Sequence, residues 1–216
     1  MKRLTHCLTA LAFALPLVLG AQDATKKVTD GGVKAGGWQA RVDRASDKIE
    51  DAKFASMGSG FHVTSGPAAI YWNPANAAKG TYTVKASLTQ TKAPEHREAY
   101  GIFVGGDDLT DASQSYLYMV VAGTGEFTIK HRAGAQTHTL VDWTKNAAVK
   151  AADASGKATN EVAIEVGASD VRFLVNGTEV HKAPKSGMLS AVDGQAGLRV
   201  NHNLDVHVGS FSVTKM

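Results

Sequence analysis

The segment GLRVNHNLDVHV, residues 197–208, contains arginine, histidine and aspartate side chains, which bind metals and anions or transfer protons. Side chains on a β-strand point alternately to its two faces, so His202 and His207 lie on opposite faces of a regular strand. They could share a metal ion only if a bulge interrupted the strand at VNHN. The segment is therefore either an ordinary half-buried strand or a strand whose Arg199, Asn201 and His202 contact a ligand.

A second group of proton-transferring side chains lies in EHREAYG, where His96 and Glu98 share one side of an expected strand and Arg97 lies on the other. A carboxylate beside an imidazole can act as general acid and base, because the environment separates their pKa values. The segment is equally compatible with an ordinary charged start of a strand. We retain His96, Arg97 and Glu98 as candidate catalytic residues.

Three aspartates, Asp107, Asp108 and Asp111, lie within the predicted loop GGDDLTDASQ. Calcium takes roughly six to eight oxygen ligands, which the carboxylates and backbone carbonyls of such a loop can supply. The spacing is not that of an EF-hand, and a solvated loop is the simpler interpretation. The G-x-G of VVAGTGEFTI does not indicate a nucleotide cofactor, because it lacks the following helix of a nucleotide-binding loop. Calcium is therefore the one cofactor that the sequence suggests.

The segment IKHRAGAQTHTL predicts a hairpin with a loop over residues 133–136. In that register His131 and His138 are cross-strand neighbours, with Cβ atoms about 5 Å apart. A metal ion would need a third ligand, and none is evident, so we expect the two rings to pack together. Lys130 and Arg132 share the other face and are candidates to line a polar groove.

Aromatic residues supply further candidates for ligand contact. Trp72 and Trp143 lie at the ends of predicted strands, and Tyr116 and Tyr118 share one side of SYLYMVV. Aromatic rings cover apolar faces of a ligand while the indole N–H or phenolic O–H makes a hydrogen bond. Trp38 lies in the first predicted strand of the domain and is expected in the core.

The elements that position these residues are short strands. After residue 36, about thirteen segments rich in β-branched and aromatic residues alternate with clusters of Gly, Asn, Asp and Pro. No segment shows a sustained helical period, which predicts an all-β sandwich or barrel. In LVNGTEV, Asn176 and Gly177 both tolerate positive φ, as a two-residue type I′ hairpin requires.

The N-terminus has the layout of a secretory signal peptide, with Lys2 and Arg3 before an apolar stretch over residues 8–19 and small residues up to Ala21. That stretch is shorter than the roughly 20 residues of a membrane span. We therefore expect cleavage near Ala21, no membrane anchor, and a periplasmic or secreted protein. Cys7 lies within this peptide, and the remaining chain contains no cysteine for a disulfide or thiolate.

The rest of the chain divides into a polar, glycine-rich lead-in over residues 22–36, expected to be flexible, and one domain over residues 37–216. About 195 residues can bury roughly 70% of their unfolded surface, enough for a core without disulfides. The formal net charge is +3, and removal of residues 1–21 lowers it to about +1. This balance argues against a nucleic-acid partner, and we expect a monomer.

Strand order and turn placement in GTYTVKASLT, YGIFVGGDD, SYLYMVV, GEFTIKHR, FLVNG and GLRVNHNLDVHVGSFSV resemble the concanavalin A-like lectin/glucanase superfamily over residues 37–216. The nearer likeness is to secreted bacterial proteins of the 3-keto-disaccharide hydrolase-like and laminin G-like groups. The resemblance implies a two-sheet antiparallel jelly-roll sandwich whose concave face holds saccharide. The Glu-x-Asp-x-x-Glu motif of the laminarinase-type glucanases is absent, since Glu161 and Glu165 lack the third carboxylate.

Three functions remain open from the sequence. The first is an exported, non-catalytic protein that binds a saccharide or polysaccharide on the concave sheet. The second is an enzyme that processes glycosides with His96, Arg97 and Glu98, and the third is an envelope interaction protein without a small ligand. The candidate ligand-binding residues are Trp72, Tyr116, Tyr118, Lys130, Arg132, Trp143, Arg199, Asn201 and His202.

Overall fold

The computed structural model of the protein describes residues 24–216, and this part of the chain contains fifteen β-strands and three short 3-10 turns. The predicted signal peptide, residues 1–21, lies outside the described residues. The strands are β1 (Gly32–Val33), β2 (Gln39–Val42), β3 (Lys53–Met57), β4 (Gly60–Thr64), β5 (Ala69–Trp72), β6 (Tyr82–Gln90), β7 (Ala99–Asp107), β8 (Ser115–Ala122), β9 (Glu126–Ala133), β10 (Gln136–Lys145), β11 (Ala158–Val166), β12 (Asp170–Val175), β13 (Thr178–Pro184), β14 (Gln195–Val200) and β15 (Asp205–Lys215). The 3-10 turns are Ile49–Asp51, Pro74–Asn76 and Gly187–Leu189.

The strands form two stacked sheets. One has eight strands in the order β1-β3-β4-β15-β6-β11-β12-β13, and the other has seven in the order β10-β9-β8-β7-β14-β5-β2. Neighbouring strands pair antiparallel, apart from the short parallel contact of β1 with β3. The prediction of a two-sheet antiparallel jelly-roll sandwich is confirmed.

The core lies between the two sheets and follows the alternation of the sequence. In β6, Tyr82, Val84, Ala86 and Leu88 are fully buried, whereas the intervening side chains face the surface. Alternate residues of a strand share one face, so each strand contributes one apolar row to the core. Val162, Ile164, Phe173, Val206 and Val208 extend this core across the same sheet.

The central strands of the seven-stranded sheet, β5, β7, β8 and β14, are buried on both faces. A second set of packed residues, here called the outer cluster, lies on the face directed away from the core, with Trp143 packed against it. Its members are Ile70, Trp72, Ala99, Phe103, Leu109, Tyr116, Tyr118, Val120 and Ala122. Leu109 comes from the loop between β7 and β8, and Trp143 comes from β10, so a loop and an edge strand help to cover the face.

The predicted lead-in is not a detached segment in its described part. Gly32–Val33 pairs with Lys53 and Phe54, and Ala35 is buried. Further upstream, the Asn203 side chain accepts a hydrogen bond from the Lys26 amide and donates one to the carbonyl oxygen of residue 24. Residues 24–36 therefore lie against the sandwich in this structure, and the flexibility expected of the lead-in stays a prediction.

The segment GLRVNHNLDVHV forms two strands that belong to different sheets. β14 lies in the seven-stranded sheet and β15 in the eight-stranded sheet, so residues 201–204 cross between the layers. Asn203 has φ of 54°, which places the bend within the predicted VNHN. His202 and His207 are thereby separated, and the bend does not bring them to a common metal. No helix among residues 24–216 is long and apolar enough to cross a membrane.

Candidate functional site

A polar cavity of about 270 Å³ opens at the end of the seven-stranded sheet where β2 and β14 end and β7 begins. We call it the Arg199 cavity. Its volume is close to the lower limit of roughly 300 Å³ for small-molecule pockets. Besides Arg199, its polar lining includes Asp43, Arg44, Asp47, Glu98, Asn201 and His202.

Three neighbouring chain segments bring the side chains of the Arg199 cavity together. Arg199 lies on β14 between Ile70 of β5 and the backbone of β7. Beyond the strand ends, the amide of Asp43 donates to the Ala68 carbonyl at 2.9 Å, and the amide of Asn201 donates to the Ala99 carbonyl at 2.9 Å. The sheet geometry thus continues past the strands and holds Asp43 and Asn201 beside Arg199.

Arg199 and Asp43 form a bidentate ion pair. Each terminal nitrogen of the guanidinium donates to one carboxylate oxygen, and the Nη2–Oδ2 distance is 2.5 Å. The Arg199 side chain is 7% exposed, and its Nε donates to Asn201 Oδ1 at 3.3 Å. Burial alone would raise the pKa of Asp43, but attraction and hydrogen bonding from Arg199 outweigh it and lower that pKa. The pair is a fixed, charged part of the cavity wall.

Glu98 and His202 form a second polar pair in the cavity, with 2.6 Å between Glu98 Oε1 and His202 Nδ1. The Glu98 side chain is 12% exposed. Burial raises the pKa of Glu98, and this outweighs the opposing attraction of His202 and a hydrogen bond with Asn201. A carboxyl with a raised pKa beside an imidazole has the composition of a general acid–base pair.

The two tyrosines of β8 lie beneath Arg199 instead of on an open surface. Tyr116 is 1% and Tyr118 is 8% exposed. The guanidinium carbon of Arg199 lies 5.5 Å from the centre of the Tyr118 ring, and its Nη1 is 3.5 Å from the Tyr116 hydroxyl. Burial raises the pKa of Tyr116 to about 12. The structure brings these tyrosines together with Arg199, and both rings are covered in this structure.

Trp72 and Trp143, the two tryptophans predicted as ligand residues, belong to the outer cluster and its cover. Trp72 is only 4% exposed and has no open face. Trp143 is half-buried, and the guanidinium of Arg97 stacks 4.4 Å above its ring. Trp72 is therefore buried in this structure, and the Arg97 guanidinium partly covers Trp143. Trp38 packs against the core, as expected, and the centres of the Trp38 and Phe54 rings are 5.1 Å apart.

The two basic residues of β9 lie on the face predicted for them. Arg132 is opposite Tyr116, and Lys130 is opposite Tyr118. Arg132 donates to the Gly134 carbonyl at 2.6 Å and to the Asp43 carbonyl at 3.4 Å. Arg132 thus supports the backbone of the Arg199 cavity, whereas Lys130 is half-buried farther along the strand.

The predicted hairpin of β9 and β10 has the expected register, with His131 opposite His138. Their rings stack with centroids 6.4 Å apart. The described residues contain no group of three side chains that could hold a metal ion. The interpretation as cross-strand packing agrees with this geometry.

The predicted catalytic triplet does not converge. Glu98 turns into the Arg199 cavity, and its imidazole partner is His202 instead of the neighbouring His96, which is exposed. Arg97 turns toward Trp143 and forms an ion pair with Glu126 at 3.4 Å. The reason is that residues 96–98 precede β7, so the alternation expected of a strand does not apply to them.

The acidic loop between β7 and β8, together with the last residue of β7, carries the three aspartates that are candidates for a calcium site. Asp107, Asp108 and Asp111 are exposed, and no metal-binding cluster occurs among residues 24–216. Arg41 donates to the carbonyl oxygens of Leu109 and Asp111, at 3.3 and 2.6 Å. A guanidinium therefore occupies backbone oxygens of the kind that calcium would need.

Sequence reasoning missed the residues of the segment after β2. Asp43 and Asp47 line the Arg199 cavity, but no motif marks them. The one available signal is parity, since Asp43 is two positions after Arg41 and so continues the same face of β2. Parity does not indicate which distant side chain pairs with Asp43.

No protein-family model matches the chain, and no curated protein matches it in sequence. Solved structures do resemble it. A carbohydrate-binding module, CBM66 from Bacillus subtilis, is 14% identical with a TM-score of 0.62, over 85% of this chain and 98% of that one. A Bacillus subtilis protein of unknown function with a galectin-like fold is 13% identical with a TM-score of 0.61, over 82% and 89% of the two chains.

A third similar structure is the carbohydrate recognition domain of Emp47p, which is 9% identical with a TM-score of 0.53, over 90% of this chain and 99% of that domain. At such low identity these likenesses establish the fold alone. The protein shares with them a two-sheet antiparallel jelly-roll fold.

Proposed function

We propose that the protein binds a neutral saccharide in the Arg199 cavity. The observation that carries this proposal is the convergence of fixed donors and acceptors on one cavity of about 270 Å³. Sugar hydroxyls both donate and accept hydrogen bonds, so a site that offers carboxylate oxygens beside guanidinium, amide and imidazole groups suits them. The carbohydrate-binding module and the carbohydrate recognition domain that share the fold support the proposal by analogy.

The charges of the cavity favour a neutral ligand over an acidic one. Asp43, Asp47 and Glu98 supply carboxylates, and Arg44 and Arg199 supply guanidinium groups. Arg199 is already neutralised by Asp43. The cavity therefore has no surplus of positive charge with which to hold a uronate or a phosphate.

The first test compares binding of neutral mono- and oligosaccharides, by glycan array and calorimetry, to the wild type and to Asn201→Ala. We expect saturable binding that weakens by about tenfold in Asn201→Ala, since one or two hydrogen bonds at roughly 1 kcal/mol each are lost. Glu161→Gln is the matched control, because Glu161 pairs with Lys85 on the other sheet. Absence of binding to every neutral sugar, or equal loss in the control, would contradict the proposal.

A second candidate function is processing of a glycoside, of the 3-keto-disaccharide hydrolase-like type, and the Glu98–His202 pair is the observation that favours it. A carboxyl and an imidazole 2.6 Å apart in a cavity have the composition of an acid–base couple. Turnover of a 3-keto-disaccharide that disappears in Glu98→Gln but persists in Glu95→Gln would support this function. Binding without turnover would leave the protein a non-catalytic module.

We further propose that the chain is exported by residues 1–21, whose composition is that of a signal peptide. Mass spectrometry of the protein from a periplasmic or culture fraction should give a chain that begins within a few residues of position 22. A cytoplasmic protein that retains residues 1–21 would overturn this proposal.

A further inference from the structure

A second cavity, of about 280 Å³, lies on the other side of Glu98 from the Arg199 cavity. Its wall is formed by the end of β6, by the connection from β6 to β7, and by the turn between β8 and β9. Glu98 lines both cavities. Two cavities of nearly equal volume therefore meet at one residue, and we call the second one the Gln90 cavity.

Gln90 gives the second cavity a buried hydrogen-bond acceptor without a partner. The side chain is 1% exposed, and its Nε2 donates to the Gly156 carbonyl at 2.7 Å. Its Oε1 is buried and has no hydrogen-bond partner among the described residues. The bond to Gly156 fixes the orientation of the amide, since the reversed amide would place two acceptors together. A buried acceptor without a donor is costly, so a donor from a bound molecule or water is expected at this position.

The turn between β8 and β9 packs closely against the Gln90 amide. A Cβ atom added at Gly123 would lie 2.9 Å from Gln90 Oε1 and 2.8 Å from its Nε2. Only a residue without a side chain keeps this side of the amide uncrowded. Gly123 and Gln90 both line the cavity, so the unpartnered acceptor lies in the cavity wall.

The remaining wall is largely apolar or charge-neutralised. Ala93, Pro94 and Ala152 contribute apolar surface. Of the charged residues, Glu95 is paired with Lys26 at 3.2 Å, and the Arg97 guanidinium both pairs with Glu126 and covers Trp143. His96, Glu98 and Thr124 add further polar groups to the wall. A mainly apolar surface with a few polar groups, among them the oriented Gln90 amide, suits the C–H face and the hydroxyl groups of a neutral sugar unit.

We infer that the Gln90 cavity is a second sugar subsite, and that the ligand is a chain of at least two neutral saccharide units passing Glu98. This inference rests on the proposed function, because the first unit occupies the Arg199 cavity. A hydroxyl group of the second unit donates to Gln90 Oε1. The two units need not be identical, since one cavity is charged and the other largely apolar.

The experiment measures affinity as a function of chain length. Calorimetric titrations use glucose, galactose, mannose, fructose and xylose, and the di- and trisaccharides built from each. We expect the best disaccharide to bind about tenfold more tightly than its monosaccharide, with little further gain for the trisaccharide. Gln90→Met keeps the side-chain size but removes the acceptor, and Ala93→Leu fills the cavity from an exposed position. Each variant should abolish the gain for the disaccharide and leave monosaccharide affinity unchanged.

The controls separate this inference from the proposed function. Asn201→Ala should weaken binding of mono- and disaccharide by the same factor, because it acts in the Arg199 cavity. Equal affinity for mono- and disaccharides in the wild type would overturn the second subsite and leave the first intact. Tighter binding of the disaccharide than of the monosaccharide in both Gln90→Met and Ala93→Leu would also overturn the second subsite. If no sugar of the panel binds, both the proposed function and this inference fail.

Discussion

At the scale of single residues, the Arg199–Asp43 pair determines the shape of the polar cavity. A guanidinium whose side chain is 7% exposed needs a carboxylate, because an unpaired buried charge is strongly unfavourable. The pair also links β14 to the segment after β2, which are neighbours of β5 on either side. The same contact therefore contributes to stability and holds two lining residues of the candidate site.

The first residue-scale prediction concerns Asp43→Asn, which should lower the free energy of unfolding by about 3 kcal/mol at pH 7. Because the pKa of Asp43 is lowered by folding, its stabilisation is complete above the unfolded pKa, near 3.9, and is lost as the pH falls through the folded pKa. The difference between wild type and variant in urea unfolding should therefore shrink below about pH 4. A difference that is constant with pH would contradict this assignment.

The second residue-scale prediction concerns Glu98, whose contribution to stability changes with pH in the direction opposite to that of Asp43. Folding raises the pKa of Glu98 through burial, so its contribution to stability is complete below the unfolded pKa and declines as the pH rises through the folded one. Relative to Glu98→Gln, the wild type should lose stability as the pH rises above about 4.3, the usual pKa of an unfolded glutamate, to be measured by urea denaturation over a series of pH values. If the wild type instead gains stability relative to the variant over this range, burial does not dominate at Glu98.

At the scale of elements, the β12–β13 hairpin is more than a tight turn. Asn176 has φ of 50° and Gly177 has φ of 78°, as the predicted turn requires. The Asn176 side chain also donates to the Ala148 carbonyl and to Asn160 Oδ1, both at 2.8 Å, and accepts from the Glu161 amide at 2.9 Å. Asn160 is fully buried. Because Ala148 lies in the segment that follows β10, the bond to its carbonyl ties the turn to that segment.

The element-scale prediction separates these two roles of Asn176. Asn176→Gly retains the positive φ but removes the side-chain bonds, and should lower the free energy of unfolding by about 2–3 kcal/mol, as measured in urea. Asn176→Ala should cost roughly 1 kcal/mol more, because alanine is strained at positive φ. Thr178→Ala, at an exposed position of the same hairpin, is the control and should change stability little. Equal stability of the glycine variant and the wild type would show that the turn conformation alone matters.

At the scale of the whole molecule, the crossing between the sheets anchors the beginning of the described chain. The Asn203 side chain holds the backbone of residues 24 and 26, and a Cβ atom at Gly66 would lie 2.0 Å from the Lys26 carbonyl oxygen. Thr25, between them, lines the Arg199 cavity. The N-terminal segment, the sheet crossing and the candidate site are thus physically connected.

The whole-molecule prediction tests this connection with Asn203→Gly, which keeps the φ of 54° available and removes only the side chain. Hydrogen exchange of the Lys26 amide should accelerate by about tenfold or more, since its acceptor is Asn203 Oδ1. Amides in the centre of β8 should exchange at the wild-type rate. If Lys26 stays protected while the variant is folded, the segment is held by other contacts.

The sequence by itself determined the fold and its turns. Alternation over Tyr82–Gln90 gave the core face correctly, and Asn176 with Gly177 indicated a hairpin, because both depend on local backbone geometry. The same local rules placed Arg199 and Asn201 on a common polar side. Two strands, Gly32–Val33 and Lys53–Met57, have no strong β-branched pattern that would indicate a strand in the sequence.

Only the tertiary structure decided which side chains form the site and which are covered. Asp43 and Arg199 are 156 positions apart, and no local pattern relates them. Alternation assigned Tyr116 and Tyr118 to the face opposite the core, but it could not reveal that Arg199 and the outer cluster bury them. The physical reason is that periodicity fixes the direction of a side chain relative to its own strand, whereas burial and pairing depend on which distant segments pack against that strand.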